Sequence, residues 1–149
     1  MRERLGATPV LRAVADLDLD RDRGVPVDRS LLTSDAAAVV RDPAVEIVVE
    51  LIGGTGIARE LVKQSLSARK PVVTANKALL AEHGEELFAL AAETGTDICF
   101  GASVGGGIPI IRALREGLIG NRIESLYGIL NGTCNYVLTR MESEGATFD

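Results

Sequence analysis

A chain of 149 residues is long enough to bury one sizeable core, and a second complete domain would ordinarily need more. Its 46% apolar and 25% charged residues are those of an ordinary globular chain and exclude wholesale disorder. A net charge of −5, with no Lys/Arg cluster longer than two residues, excludes the concentrated positive surface that nucleic acid requires and favours small-molecule partners.

Cys99 and Cys134 are too few, and lie in segments too apolar, for a disulfide framework, which points to a reducing compartment. No run approaches the roughly 18 apolar residues of a membrane helix, and residues 1–15 lack the continuous apolar core of a signal peptide. The reading is a cytoplasmic chain with no membrane partner.

Along the chain, the run from Pro9 to Ala15 ends in the acidic stretch Asp16–Asp22 and predicts a strand leaving the core. Residues 17–32 read as an irregular loop. Thr33, Ser34 and Asp35 offer caps for a short helix to Arg41, which Asp42-Pro43 closes. Val45–Leu51 is nearly continuous in branched apolar residues, as expected of a parallel strand covered on both faces. Ile52–Gly56 is a permissive turn, and Ile57–Ala68 places Leu61, Val62, Ser65 and Leu66 on one helical face. The alternation then repeats, with a strand at Pro71–Ala75, an amphipathic helix over 78–94 ending at Thr94-Gly95, and a strand at Asp97–Phe100. Strands alternating with helices predict an α/β fold with a parallel sheet.

Beyond Phe100 the rhythm changes. A glycine-rich turn at Ala102–Gly107 leads into a helix from Pro109 to Leu118, then a more alternating strand at Arg122–Leu130, and Asn131-Gly132-Thr133 turns into a helix over about 134–143. A domain boundary is placed near residue 100. The expected organisation is a truncated nucleotide-binding domain over 1–100 and the beginning of an α+β substrate domain over 101–149. A dinucleotide-binding unit normally opens with a strand, a G-x-G-x-x-G turn and a helix that receives the pyrophosphate. That fingerprint is absent from this sequence, so the expected fold is a Rossmann-like parallel sheet lacking its first strand, with residues 1–6 as the tail of the first helix.

Three segments carry chemical potential. Glu50–Gly54 lies at the carboxyl end of a strand, where ligands of open parallel sheets sit and glycines admit a ribose or nicotinamide closely; an ordinary strand-to-helix turn is the equal alternative. Val72–Lys77 places a lysine two residues past a buried strand, where a cation binds a carboxylate, orients a carbonyl or pairs with a phosphate. Most such lysines are simply solvated, and Asn76 suits a helix cap equally well. Ala102–Pro109 exposes amides suited to anions and carbonyls suited to hard cations, or serves only as a hinge. Thr133 is a weaker candidate, since a turn with Thr133 as cap explains it. His83 has no partner at ligand spacing, Ser103 and Ser125 have no plausible base, and the Asp16–Asp22 cluster lacks the glycine and distal glutamate of an EF-hand.

Taken together, VVELIGG, VVTANKALLA, ASVGGGIPIIRALREGL and GILNGTCNYVLTRM resemble homoserine dehydrogenase in order and spacing over nearly the whole chain. The resemblance implies interconversion of homoserine and aspartate 4-semialdehyde with NAD or NADP, in threonine, methionine and isoleucine biosynthesis, by a homodimeric parent. It implies that Ile52, Gly53 and Ala75 line the cofactor, that Lys77 reaches both nicotinamide and substrate, and that Thr133 lies near the substrate. It also implies a monovalent cation, usually sodium, on the main-chain carbonyls of Val104, Gly106 and Ile108 and on a preceding glutamate. Here that glutamate position is Gly101. At the end of the first strand, Asp16-Leu17-Asp18 stands where an arginine would favour NADP, and an acidic side chain suits a ribose hydroxyl, although Arg12, Arg21 or Arg23 would be in reach of a phosphate. In the family the acid/base lysine lies downstream of the NGT helix, outside this chain, so Lys77 polarises and positions, and the chain alone is expected to be inactive. The alternative is a non-catalytic binding or interaction module derived from a dehydrogenase.

Overall fold

The computed structural model describes residues 6–128 and 131–148, which form two compact units, Met1–Ile108 and Pro109–Asp149. The expected helix tail over residues 1–6 lies, save for Gly6, outside the described residues.

The first unit is an α/β structure with elements β1 (Val14–Ala15), β2 (Leu32–Thr33), α1 (Ala36–Arg41), β3 (Val48–Glu50), α2 (Gly56–Ser67), β4 (Val72–Thr74), α3 (Lys77–Thr94) and β5 (Ile98–Cys99). Every strand pairing is parallel. β1 pairs with β2, and β3, β4 and β5 form a separate sheet in that order. In a doubly wound sheet of order 3-2-1-4-5-6 these five strands take every place except the central one, between β1 and β3. The break between the two sheets therefore falls where a first strand belongs, as expected of a Rossmann-like sheet without it.

The helices form where caps and apolar spacing coincide. Asp35 accepts from Ala38 N at 2.8 Å to start α1, and Asn76 accepts from Leu79 N at 3.1 Å to start α3. Gly95, at φ 67°, ends α3 in the left-handed conformation that glycine adopts without a Cβ penalty. Ala58, Leu61, Val62, Ser65 and Leu66 give α2 one buried face. That face packs with Leu79, Leu87 and Ala91 of α3 against Val72 and Ile98 of the sheet, with Val48 half-buried beside them. Along the outer seam, Glu86 of α3 receives Arg59 Nε at 2.8 Å, Arg59 Nη2 at 2.9 Å and Lys63 Nζ at 2.6 Å, joining α3 to α2.

Three expectations need correction in this unit. The strand expected over 9–15 is confined to Val14–Ala15, because only these residues find a parallel partner, while Val10 and Leu11 stay exposed. The loop expected over 17–32 ends in a 3₁₀ turn at Arg29–Leu31, capped by Asp28, and in β2, which is too short to show any alternation. β3 was expected to be covered on both faces. Its Val48 side meets the helices, but Ile47, Val49 and Leu51 are 60%, 60% and 73% exposed, because among the described residues both packing helices lie on the other side.

The second unit begins with one turn of α-helix, α4 (Ile110–Arg112), which widens into a π-helical stretch at Ala113–Gly117, and it contains α5 (Gly132–Glu144). Asn131, and not Thr133, caps α5 by accepting from Cys134 N at 3.0 Å. The strand expected at Arg122–Leu130 is not formed over 122–128, which are exposed and unpaired; residues 129–130 lie outside the described residues. A strand needs a ladder partner for its backbone groups, and the described residues of this unit contain none.

Leu66→Ala is expected to destabilise the first unit by about 2–5 kcal/mol, the scale of a large-to-small change at a fully buried site, measured by chemical denaturation. The second expectation concerns acid. Hydrogen bonds from Arg59, then from Lys63, hold the Glu86 carboxyl down from 4.5 to about 2. Because the folded value is the lower one, the stabilisation is complete above about 4.5 and is lost as pH falls towards 2. Glu86→Gln should flatten the stability profile in that window and leave its shape near neutrality unchanged, as followed by thermal melts at stepped pH.

Candidate functional site

The register of the three-stranded sheet places Glu50, the last residue of β3, beside Thr74, the last residue of β4. Both chains therefore leave the sheet at one rim, β3 into Leu51–Gly54 and β4 into Ala75-Asn76. Glu50 is 3% exposed, and its partners among the described residues are all neutral donors. Its Oε1 accepts from the Ile52 and Gly53 amides at 2.8 and 3.2 Å, with Asn76 Nδ2 further off at 3.5 Å. Its Oε2 accepts from Thr74 Oγ1 at 2.6 Å. Thr74 Oγ1 in turn accepts from Asn76 N at 3.0 Å, and Asn76 Nδ2 donates to the Gly54 carbonyl at 2.7 Å. A buried carboxylate is tolerated only when its oxygens are satisfied, and here the satisfying groups are the rim itself.

Four of the residues expected to serve a ligand meet on this rim. Ile52 is 52% exposed, Ala75 and Lys77 are exposed, and Gly53 sits at φ 80° with open space where a Cβ would point. Lys77 is the first residue of α3 and takes part in none of the ion pairs among the described residues. A cation there opposes the helix dipole, so its position is not explained by helix stability. Val104, Gly106 and Ile108 lie on the exposed loop after β5, and that loop is tied to the rim because Ser103 Oγ donates to the Thr74 carbonyl at 2.8 Å. Thr133 belongs to the second unit, where it is exposed in the first turn of α5.

Sequence reasoning missed the polar groups beneath the rim. Glu50 opens a candidate segment, but nothing local shows its partner Thr74; the β3–β4 register brings these two together, and the loop after β5 brings Ser103 to the Thr74 carbonyl. A second ionic arrangement closes the carboxyl end of β1. Asp16 Oδ1 accepts from Asp18 N at 3.1 Å and Oδ2 from Arg23 Nη2 at 2.9 Å. The Asp18 amide first, and the Arg23 guanidinium after it, hold the Asp16 carboxyl below its usual range. Arg23 is also spent on the carbonyls of Asp18, Leu19 and Arg21, at 2.8, 3.4 and 2.9 Å.

A parallel α/β sheet with a glycine turn and a solvent-facing lysine at its carboxyl rim defines the class of nucleotide-binding α/β domains. The comparisons with known proteins narrow the class. The family model described as homoserine dehydrogenase, NAD binding domain, matches residues 2–101, and the one described as homoserine dehydrogenase matches residues 109–149. The chain belongs to the homoserine dehydrogenase family. It is 48% identical to the homoserine dehydrogenase of a Synechocystis species over 97% of its own length and 34% of the relative's. Its fold is similar to that of a homoserine dehydrogenase from Thiobacillus denitrificans (TM-score 0.74, 57% identity, covering 79% of this chain and 27% of that one). It is also similar to a hyperthermophilic archaeal homoserine dehydrogenase in complex with NADPH (TM-score 0.67, 35% identity, covering 77% and 35%). The chain spans about a third of the length of the curated relatives it matches.

Asn76→Ala removes the α3 cap and the tie to Gly54 together. It is expected to cost about 1–2 kcal/mol, the size of a lost cap, measured by urea unfolding, and to loosen the Gly54 side of the turn.

Proposed function

We propose that this chain forms the nicotinamide side of the cofactor site of a homoserine dehydrogenase, acting on homoserine and aspartate 4-semialdehyde with NAD or NADP. The carrying observation is the rim itself, where Ile52, Gly53, Ala75 and Lys77 are presented together to solvent on a base of buried hydrogen bonds. The groups fit a dinucleotide's uncharged half, because the glycine turn has open space above it and Ala75 adds little bulk. When bound, the nicotinamide supplies the hydride donor or acceptor. The chain's own residues orient it from the β3 and β4 ends and shield one side of it from water.

Lys77 holds a positive charge at the rim, where it orients the substrate oxygen and polarises the carbon to which that oxygen is attached. It is not the acid/base group in this reading. That role, and the acidic residues that hold the substrate amine, fall to residues downstream of this chain. Thr133 is assigned to the substrate side, and the parent is assigned as a homodimer on the family resemblance alone.

Asp16 favours NAD over NADP. An ionised carboxylate at the carboxyl end of β1 suits a ribose hydroxyl and repels a 2′-phosphate, and Arg23 is already committed to Asp16 and three carbonyls. A sodium ion on the Val104, Gly106 and Ile108 carbonyls would meet neutral oxygens only, since Gly101 brings no carboxylate. Such a site keeps its carbonyl ligands and loses its charged one, which lowers its affinity for the ion.

The test extends the polypeptide with its flanking coding sequence at both ends and measures homoserine-dependent reduction of NAD and NADP. Turnover with NAD preferred over NADP is expected, and Lys77→Gln should lower kcat/KM by roughly a hundredfold, or about 2.7 kcal/mol of transition-state stabilisation. The same change should leave stability unaltered or raise it by a few tenths of a kcal/mol, because it removes a cation from a helix N-terminus. Full activity in Lys77→Gln would remove Lys77 from the site, and no turnover in the extended wild type would reject the dehydrogenase assignment.

A further inference from the structure

The turn after β3 has the form of an anion-binding nest that is already filled. Gly53 and Gly54 adopt positive φ, 80° and 68°, and within the same turn the successive amides of Ile52 and Gly53 converge on a single point. In phosphate-binding loops such a point receives a phosphoryl oxygen. Here it holds Glu50 Oε1, at 2.8 and 3.2 Å from the two nitrogens. The carboxylate arrives from below, from a residue that is 3% exposed and whose other oxygen is gripped by Thr74. Across the turn, Asn76 Nδ2 fixes the Gly54 carbonyl at 2.7 Å. The open space above both glycines shows that their conformation, and not packing, requires glycine at these places.

We propose that the Ile52–Gly54 turn is an anion nest occupied by the chain's own Glu50 carboxylate. Glu50 is thereby the positioning residue of the rim, and it keeps phosphate groups off this turn, restricting it to the uncharged nicotinamide and ribose portion of a dinucleotide. The occupancy rests on geometry alone, and the restriction to part of a dinucleotide rests on the cofactor reading above. A self-filled nest differs from an open one in a measurable way, since an external anion gains nothing from amides that already face a buried charge, and removing that charge exposes them.

The experiment titrates the 15N-labelled 149-residue chain with inorganic phosphate and follows the Ile52 and Gly53 amide resonances in wild type, Glu50→Ala and Glu50→Gln. In wild type, both amides should be slow to exchange and unmoved by phosphate. In Glu50→Ala they should exchange faster by about tenfold or more, the scale of losing charge-assisted hydrogen bonds, and should shift with phosphate. Glu50→Gln keeps an acceptor of the same shape, so it should retain most of the protection, and it keeps the proposal testable should the alanine variant fail to fold. Phosphate shifts in wild type, or unchanged exchange in Glu50→Gln and Glu50→Ala alike, would overturn the proposal. In the extended polypeptide, Glu50→Ala should raise KM for NAD more than it lowers kcat, with Glu50→Gln closer to wild type, and the reverse split would overturn the positioning role. An extended wild type that turns over no cofactor would reject the dehydrogenase reading, and the phosphate titration would still decide the nest.

Discussion

The rim of the first unit depends on one buried carboxylate that forms no ion pair among the described residues. Glu50 ends β3 inside the molecule, and a charge so placed must draw hydrogen bonds from whatever is nearest. What is nearest is the backbone that follows it and the last side chain of β4. A single anion thus fixes the path of the chain out of two adjacent strands, and it also ties in the cap of the next helix through Asn76. Networks of this kind are rigid when complete and costly when partly broken. The exposed residues above it need no side-chain contacts of their own to hold their places.

Beneath that network lies an ordinary hydrophobic core. Val72 and Ile98 of the sheet face the apolar stripes of α2 and α3, and the Glu86 ion pairs close the outer seam between the two helices. These contacts fix the parallel register, and the register brings Glu50 next to Thr74. Packing therefore comes first in the causal order, the buried hydrogen bonds second, and the arrangement of Ile52, Gly53, Ala75 and Lys77 third.

How much of this was legible in the sequence varied with the range of the interaction that decides each feature. Helices α2 and α3 could be read directly, because caps, apolar spacing and the terminal Gly95 are local signals. β1 was legible only as part of a longer strand over 9–15, and β2 not at all, since two-residue strands exist only by pairing with each other. The strand read at Arg122–Leu130 had the right alternation, but over 122–128 it has no partner among the described residues, and alternation alone does not satisfy a backbone. Of the candidate site, the rim residues were visible through glycines and a lysine at strand ends. The Glu50–Thr74, Asn76–Gly54 and Ser103–Thr74 bonds beneath them join residues 24, 22 and 29 apart, which no local pattern reports.

The most direct test of the account is a structure of the protein, extended by its flanking coding sequence, with NAD or NADP bound. The nicotinamide and its ribose are expected against Ile52, Gly53 and Ala75, with Lys77 facing the reacting carbon and Glu50 still closed on the turn. A dinucleotide seated with a phosphate on the Ile52 and Gly53 amides, or bound away from the β3 and β4 ends altogether, would contradict it.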